Sequence, residues 1–327
     1  MSCPVLEIIA LPSGEKLINS LKKSPLFNVL MFSAFWAFQI VIAKLGYIAG
    51  AKVLPFQIVL IITSIATLAV LLLPKSGPDL VQLFKDRPSL FWKLFLANSI
   101  QSGLGTSLSI IGIALTDAIN AGFLVKLATV TTILFAWIIL KERLSVLKVA
   151  VVFMMLFGAY LLTTKGEILL PRVGDFFILG ACVCWSLGNV MVRKFMTTQA
   201  VSADVITMQK PVASLPVFLA LIGISIFFPE ILGNLSTVLN CCSFTPSFIP
   251  FAIGSGICLA MAWIYLYRTL HLATASYMTL MSMVTPIIVG VLAMMFLNEI
   301  FVLIQFAGAG MIILAGVVIY LSDIAYA

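Results

Sequence analysis

The residue with the most pointed chemistry is Lys126, which lies inside the apolar stretch 117–143 (DAINAGFLVKLATVTTILFAWIILKER). At the centre of a bilayer an ammonium costs at least ~2.5–3.5 kcal/mol on insertion scales, unless it faces a cavity or a partner. A lysine there offers electrostatic recognition: it can meet a carboxylate or phosphate on a solute, in a low dielectric that strengthens the contact. On a helix Lys126 shares its face with Gly122, Phe123, Thr129 and Val130. The competing reading pairs it with an acid or polar cluster of the protein. The nearby acids, Asp117, Glu142, Asp175 and Glu299, all fall near the ends of apolar runs.

Lys210 is the second lysine within an apolar run, followed directly by Pro211 and soon by Pro216. Each proline removes a backbone hydrogen bond and bends a helix. Two readings stay open: Lys210 snorkels to the interface, or the bent, polar start formed by Thr207, Gln209 and Lys210 lines a cavity mouth. Gln39, Gln57, Asn98, Gln101, Asn189, Thr279 and Ser282 are neutral polar groups within spans. Singly such groups glue membrane helices, each worth ~0.6 kcal/mol; together they suffice to bind a polar solute. Tyr277, Met281 and Trp263 are candidates for apolar walls. Glu142 and Glu299 end matching runs at tight turns, where a carboxylate favours the N-terminus of the next helix. The glycines of the last span (AGAG at 307–310, then Gly316) suit close packing or dimerisation.

Catalytic alternatives lack parts. His271 is the only histidine, which leaves histidine-based metal sites and triads poorly supplied. No phosphate-binding loop, HExxH pair or GxSxG elbow occurs. The reading is therefore no enzyme, no catalytic residues, no metal and no cofactor, with any transport ion-coupled, exchanging or downhill.

The elements that hold these residues follow from composition. The 327 residues are 62% hydrophobic and 9% charged, with mean hydropathy +1.19. Soluble domains carry roughly a quarter charged residues, so this chain belongs in a lipid bilayer. Its net charge of +7 sits between apolar blocks, a membrane pattern that argues against nucleic acid. Cys182, Cys184 and Cys258 lie in apolar runs, and the neighbours Cys241 and Cys242 could bridge only under strain, so free thiols are expected. Residues 16–23 (KLINSLKK) read either as a short interfacial helix or as a solvated tail.

Ten apolar segments can be drawn between positions 27 and 321, each suited to the ~20 residues of a membrane helix. The second is expected to stop at Pro74, with 75–88 as a polar loop. With the N-terminus in the cytoplasm, thirteen lysines and arginines fall inside, against Lys44, Lys52, Lys165 and Arg172 outside. That bias places both termini in the cytoplasm. The chain also repeats. Moving 157 positions carries Leu115 onto Leu272, Ala118 onto Ala275, Leu140 onto Leu297 and Glu142 onto Glu299; moving 149 carries Trp36 onto Trp185 and Lys44 onto Arg193. Five spans per half is an odd number, so the second copy is inverted. Inverted repeats with a substrate site near midplane are a recurring transporter architecture.

The stretches FWAFQIVIAKLG (35–46), ALTDAINAGFLVKLATVTTILFAWIILKERLS (114–145), ACVCWSLGNVMVRK (181–194) and LATASYMTLMSMVTPIIVGVLAMMFLNE (272–299) resemble the EamA-type domain of the drug/metabolite transporter superfamily. The resemblance covers the chain from about 27 to 321. It implies an all-α integral membrane protein of ten transmembrane helices, arranged as two inverted five-helix repeats around a shared central cavity. It implies a carrier in the plasma or inner membrane, often an exporter of amino acids, metabolites or drugs. Family members often carry a basic residue in the second helix, where this chain has only Gln57, Thr63, Ser64 and Thr67. The expected organisation is a cytoplasmic segment (1–25), a first repeat (26–164), a connector (165–174) and a second repeat (175–323). Lys126, Gly122, Thr129, Gln39, Gln57, Asn98, Gln101, Asn189, Lys210, Tyr277, Thr279 and Ser282 form the expected cavity set. The expected ligand is a small anionic or zwitterionic solute. The alternative is a non-transporting sensor, scaffold or assembly subunit of the same fold.

Overall fold

In a bilayer the backbone must satisfy its own hydrogen bonds, and this chain does so with helices. The structure, a computed structural model, describes residues 24–116, 118–227, 246–297 and 300–325. The 16–23 stretch, Cys241, Cys242 and Glu299 lie outside them. Among the described residues there is no strand, and ten helices are long and apolar enough to cross a membrane. They are α1 (Pro25–Ile48), α2 (Val53–Asp86), α3 (Pro88–Ile113), α4 (Asn120–Leu140), α5 (Val146–Thr164), α6 (Val173–Gln199), α7 (Ala203–Phe227), α8 (Pro246–Leu272), α9 (Ala275–Leu297) and α10 (Leu303–Ser322).

Packing obeys the repeat. With α1 matched to α6, α2 to α7 and so on, each principal contact has its counterpart. Helix α1 packs on α8 as α6 packs on α3; α2 lies on α8 as α7 lies on α3; α4 lies on α6 as α9 lies on α1. Helices α5 and α10, equivalent to each other, pair directly. There Gly158 and Gly308 let two backbones touch: a Cβ on Gly308 would sit 2.4 Å from the Gly158 carbonyl oxygen. This is the small-residue route to close helix association in lipid. Outward-facing Val70, Phe153 and Phe176 are exposed, as lipid-facing residues should be.

The repeat extends to a local irregularity. Helix α4 is interrupted by a 3₁₀ turn at Val125–Leu127, and α9 by a 3₁₀ turn at Ser282–Val284, again 157 positions on. In α9 Pro286 has no N–H to offer the Ser282 carbonyl. The Thr285 hydroxyl donates to that carbonyl instead, at 2.7 Å. Helix α4 makes the same break with Thr129 where α9 has Pro286.

One boundary differs from the sequence expectation, and one helix carries an irregularity inside it. Helix α2 does not stop at Pro74 but runs through Pro74 and Pro78 to Asp86. Its extension buries Leu83, and Phe84 packs edge-on against Phe91 of α3, with ring centroids 5.0 Å apart. Helix α3 contains a π segment, Ser99–Leu104. Such bulges insert a residue and re-aim side chains, frequently at functional sites.

Candidate substrate cavity

A cavity of about 620 Å³ lies between the repeats, within the usual range of small-molecule sites. Its wall takes Phe32, Trp36 and Gln39 from α1, Gln57 from α2, Gln101 and Ser102 from α3, and Val125, Ala128 and Thr132 from α4. The second repeat supplies Trp185 and Asn189 from α6, Lys210, Ser214 and Phe218 from α7, Trp263 from α8, and Thr279 and Ser282 from α9. The lining reaches Tyr47 and Val53, beside the α1–α2 turn. These are helices one to four and six to nine; α5 and α10 stay outside.

Seven of the twelve expected residues meet here: Gln39, Gln57, Gln101, Asn189, Lys210, Thr279 and Ser282. Lys210 is the surprise. It does not snorkel; it is 3% exposed, with Nζ 5.3 Å from the centre of the Trp263 ring and 5.0 Å from that of Tyr267. Its position on α7 explains this. Lys210, Ser214 and Phe218 recur every fourth residue and so share one face, and that face turns to the cavity.

Behind Lys210 runs a chain of amides. Gln209 Nε2 donates to the Phe91 carbonyl (3.0 Å), and Asn98 Nδ2 donates to Gln209 Oε1 (3.3 Å). The Tyr267 hydroxyl is shared between Asn98 Oδ1 (2.9 Å) and Gln101 Oε1 (3.0 Å), and Gln101 Nε2 donates to Asn189 Oδ1. Asn98 is thus a support behind the wall and not part of the wall. The π segment of α3 is anchored on the proline-disturbed stretch of α7: Ser99 Oγ donates to the Ala213 carbonyl at 2.6 Å and Ser102 Oγ to that of Lys210 at 3.4 Å. That anchoring fixes Gln101 and Ser102 toward the cavity.

The other four expected residues face elsewhere. Lys126 shares its helix face with Gly122, Phe123 and Thr129, as the spacing requires, but none of the four is on the cavity wall. A Cβ on Gly122 would meet Thr163 of α5, and the Phe123 ring packs against Tyr160 of α5 at 5.6 Å. Thr129 Oγ1 reaches Met283 Sδ of α9 at 3.4 Å and Thr279 Oγ1 at 3.5 Å. Tyr277 is buried in the cluster that α9 forms with α5 and α10. The α4 face that does line the cavity is Val125, Ala128 and Thr132, one position off Lys126.

Glu142 also differs from expectation in its target. Helix α5, next in sequence, is capped by Ser145 Oγ, which accepts from Lys148 N. The Glu142 carboxylate instead accepts from the N–H groups of Ala275 (2.9 Å) and Ser276 (3.2 Å) and from Ser276 Oγ (2.6 Å), in the first turn of α9. Its Oε1 lies 3.6 Å from Arg193 Nε of α6, and Arg193 Nη1 donates to the Leu270 carbonyl of α8. Four helices are tied at this end, opposite the α1–α2 turn. Tyr267 and the Arg193 contact with Glu142 are what sequence reading left out; Trp263 and Gln209 stand there only as a candidate wall and a candidate cavity mouth. The four-residue spacing of Trp263 and Tyr267 was the available signal for that pair. Among the described residues no group of three or more His, Cys, Asp or Glu is placed to hold a metal.

Ten membrane helices in two inverted repeats around a shared cavity define a multi-pass membrane protein of carrier architecture. The chain belongs to the EamA-like transporter family, which it matches over residues 23–164 and 172–321. It is 27% identical over 181 residues to an uncharacterized transporter of Clostridium kluyveri, covering 53% of this chain and 57% of that protein. It is 28% identical over 152 residues to the uncharacterized transporter YyaM of Bacillus subtilis, covering 39% of this chain and 50% of that one. The chain thus spans about half the length of these relatives. A crystal structure 18% identical in sequence shares the fold with TM-score 0.68, over 90% of this chain and 96% of its own.

Proposed function

We propose that this chain is a secondary transporter. It carries a small amphipathic solute across the cell membrane by alternating access, with both termini in the cytoplasm and export as the direction the family resemblance implies. The observation that carries this reading is the asymmetry of the cavity. It is built by both repeats and reaches the α1–α2 turn at one end, while the Glu142–Arg193–Ser276 cluster ties helices of both repeats together at the opposite end. Inverted repeats that can exchange conformations would open the second end as they close the first. The paired 3₁₀ turns interrupt α4 and α9 at the same point of the repeat.

Purified protein in proteoliposomes, tested by counterflow with a panel of amino acids, organic anions and cationic drugs, decides the matter. Saturable flux of one solute class supports a carrier. No flux of any solute, in protein shown to be folded, would turn the reading to a sensor or scaffold of the same fold.

A further inference from the structure

Lys210 is the only charged side chain on the described cavity wall, and no aspartate or glutamate shares that wall. Its ammonium carries three donors. Among the described residues it meets two aromatic faces, Trp263 and Tyr267, and no carboxylate. Ring quadrupoles stabilise a cation without accepting its hydrogen bonds in the way an oxygen does. The charge is therefore held in place and left short of an anionic acceptor. Around it the wall is mostly apolar and aromatic, with Trp36, Trp185, Phe32 and Phe218, while amide groups of Gln39, Gln57, Gln101 and Asn189 supply neutral polar contacts.

We infer that the cavity selects monoanionic solutes with an apolar body, the carboxylate meeting Lys210 Nζ and the body lying against the tryptophans. This rests on the reading of the cavity as the substrate site. A dianionic phosphate would want more than one cation, and the wall offers one. A cationic solute would face Lys210 with no acid to offset it. The α-ammonium of an amino acid finds amide oxygens but no carboxylate. Lys126, which is not on that wall, takes no part.

The test compares matched pairs sharing one body: phenylacetate with phenylacetamide, indole-3-acetate with its amide, and octanoate with octanamide, beside phenethylamine and phenylalanine. Binding is read in detergent at pH 7 from intrinsic fluorescence of the cavity tryptophans, independently of flux. At least one carboxylate should bind about ten- to a hundredfold more tightly than its amide, the factor expected for a charge-assisted contact. Lys210→Gln should abolish that preference, while Lys210→Arg keeps it. Carboxylates no tighter than their amides in the wild type, or tighter binding of phenethylamine, overturn the inference without any variant. A preference that survives Lys210→Gln also overturns it. Anion binding without flux would uphold this inference and defeat the transporter; flux of phenethylamine without anion preference would do the reverse.

Discussion

Glu142, from the turn between α4 and α5 of the first repeat, lies 3.6 Å from Arg193 and caps the first turn of a helix in the second repeat. Both side chains are largely buried. The carboxylate therefore does two tasks at once: it satisfies the unpaired N–H groups that every helix start leaves, and it neutralises an arginine. Glu142→Gln should lower stability by roughly 1.5–3 kcal/mol, the range for hydrogen bonds to charged groups. Arg193→Gln should cost a similar amount, and the double variant less than the sum, because each single change strands the other partner. Thermal unfolding of the four proteins in detergent measures the coupling. An additive double variant would mean that the pair contributes nothing as a pair.

The same contact has a conformational consequence. If it closes one end of the cavity, loosening it should favour the state open at that end. A cysteine placed at Met278, on the cavity wall three residues into α9, should react faster with a membrane-impermeant thiol reagent applied from that side in Glu142→Gln than in a parent that keeps Glu142. Unchanged labelling would leave Glu142 a stabilising cap and nothing more. The repeat carries Glu142 onto Glu299 and Arg193 onto Lys44.

Tyr267 links the lysine to the amide chain: its ring lies under Lys210 Nζ, and its hydroxyl serves Asn98 and Gln101. Tyr267→Phe keeps the ring and strands two buried amide oxygens, which should cost about 1–3 kcal/mol of stability. Tyr267→Leu should remove the cation–π contact as well. Unfolding curves that place the Phe variant at wild-type stability would show the amide chain rearranging to satisfy itself without the hydroxyl.

The α5–α10 seam predicts a contrast between two glycines close in sequence. A Cβ on Gly308 would lie 2.4 Å from the Gly158 carbonyl oxygen, while a Cβ on Gly310 meets nothing within 4 Å. Gly308→Ala should destabilise by about 1–3 kcal/mol, the usual cost of overpacking. Gly310→Ala should be neutral or slightly stabilising, since alanine favours helix. Equal melting temperatures would mean that the seam can widen at little cost.

Much of the fold could be read from sequence because its determinants are local or repeated. Apolar length marks each span, and the matched runs around Leu140 and Leu297 mark the inverted copy. The cavity was harder for a specific reason. Periodicity groups Lys126 with Gly122, Phe123 and Thr129, and the structure keeps that grouping. Which way a grouped face turns depends on α5 and α9, whose Thr163 and Met283 receive it, and no pattern within α4 encodes that. Lys210 was ambiguous for the complementary reason. A lysine about two turns into a helix is long enough to reach either the interface or a cavity, and the rings that hold it are 53 and 57 positions away, at Trp263 and Tyr267.

Lys126 itself then yields a prediction opposite to its first reading. It lies in the 3₁₀ turn of α4, off the cavity wall, and among the described residues no ion pair reaches it. Its ammonium therefore costs folding energy without serving the cavity. Replacing it with the uncharged Lys126→Met should raise stability, by at most the ~2.5–3.5 kcal/mol that insertion scales assign to a central lysine. Partial exposure of the residue and reach toward the interface should make the gain smaller. Solute binding should stay unchanged, in contrast to Lys210→Gln. The informative measurement pairs melting temperature with ligand affinity on the same preparation. A more stable variant of unchanged affinity fits a lysine outside the recognition site. A variant that binds its solute tenfold more weakly would return Lys126 to the cavity, and would require α4 to rotate by about one residue, ~100°, during the transport cycle.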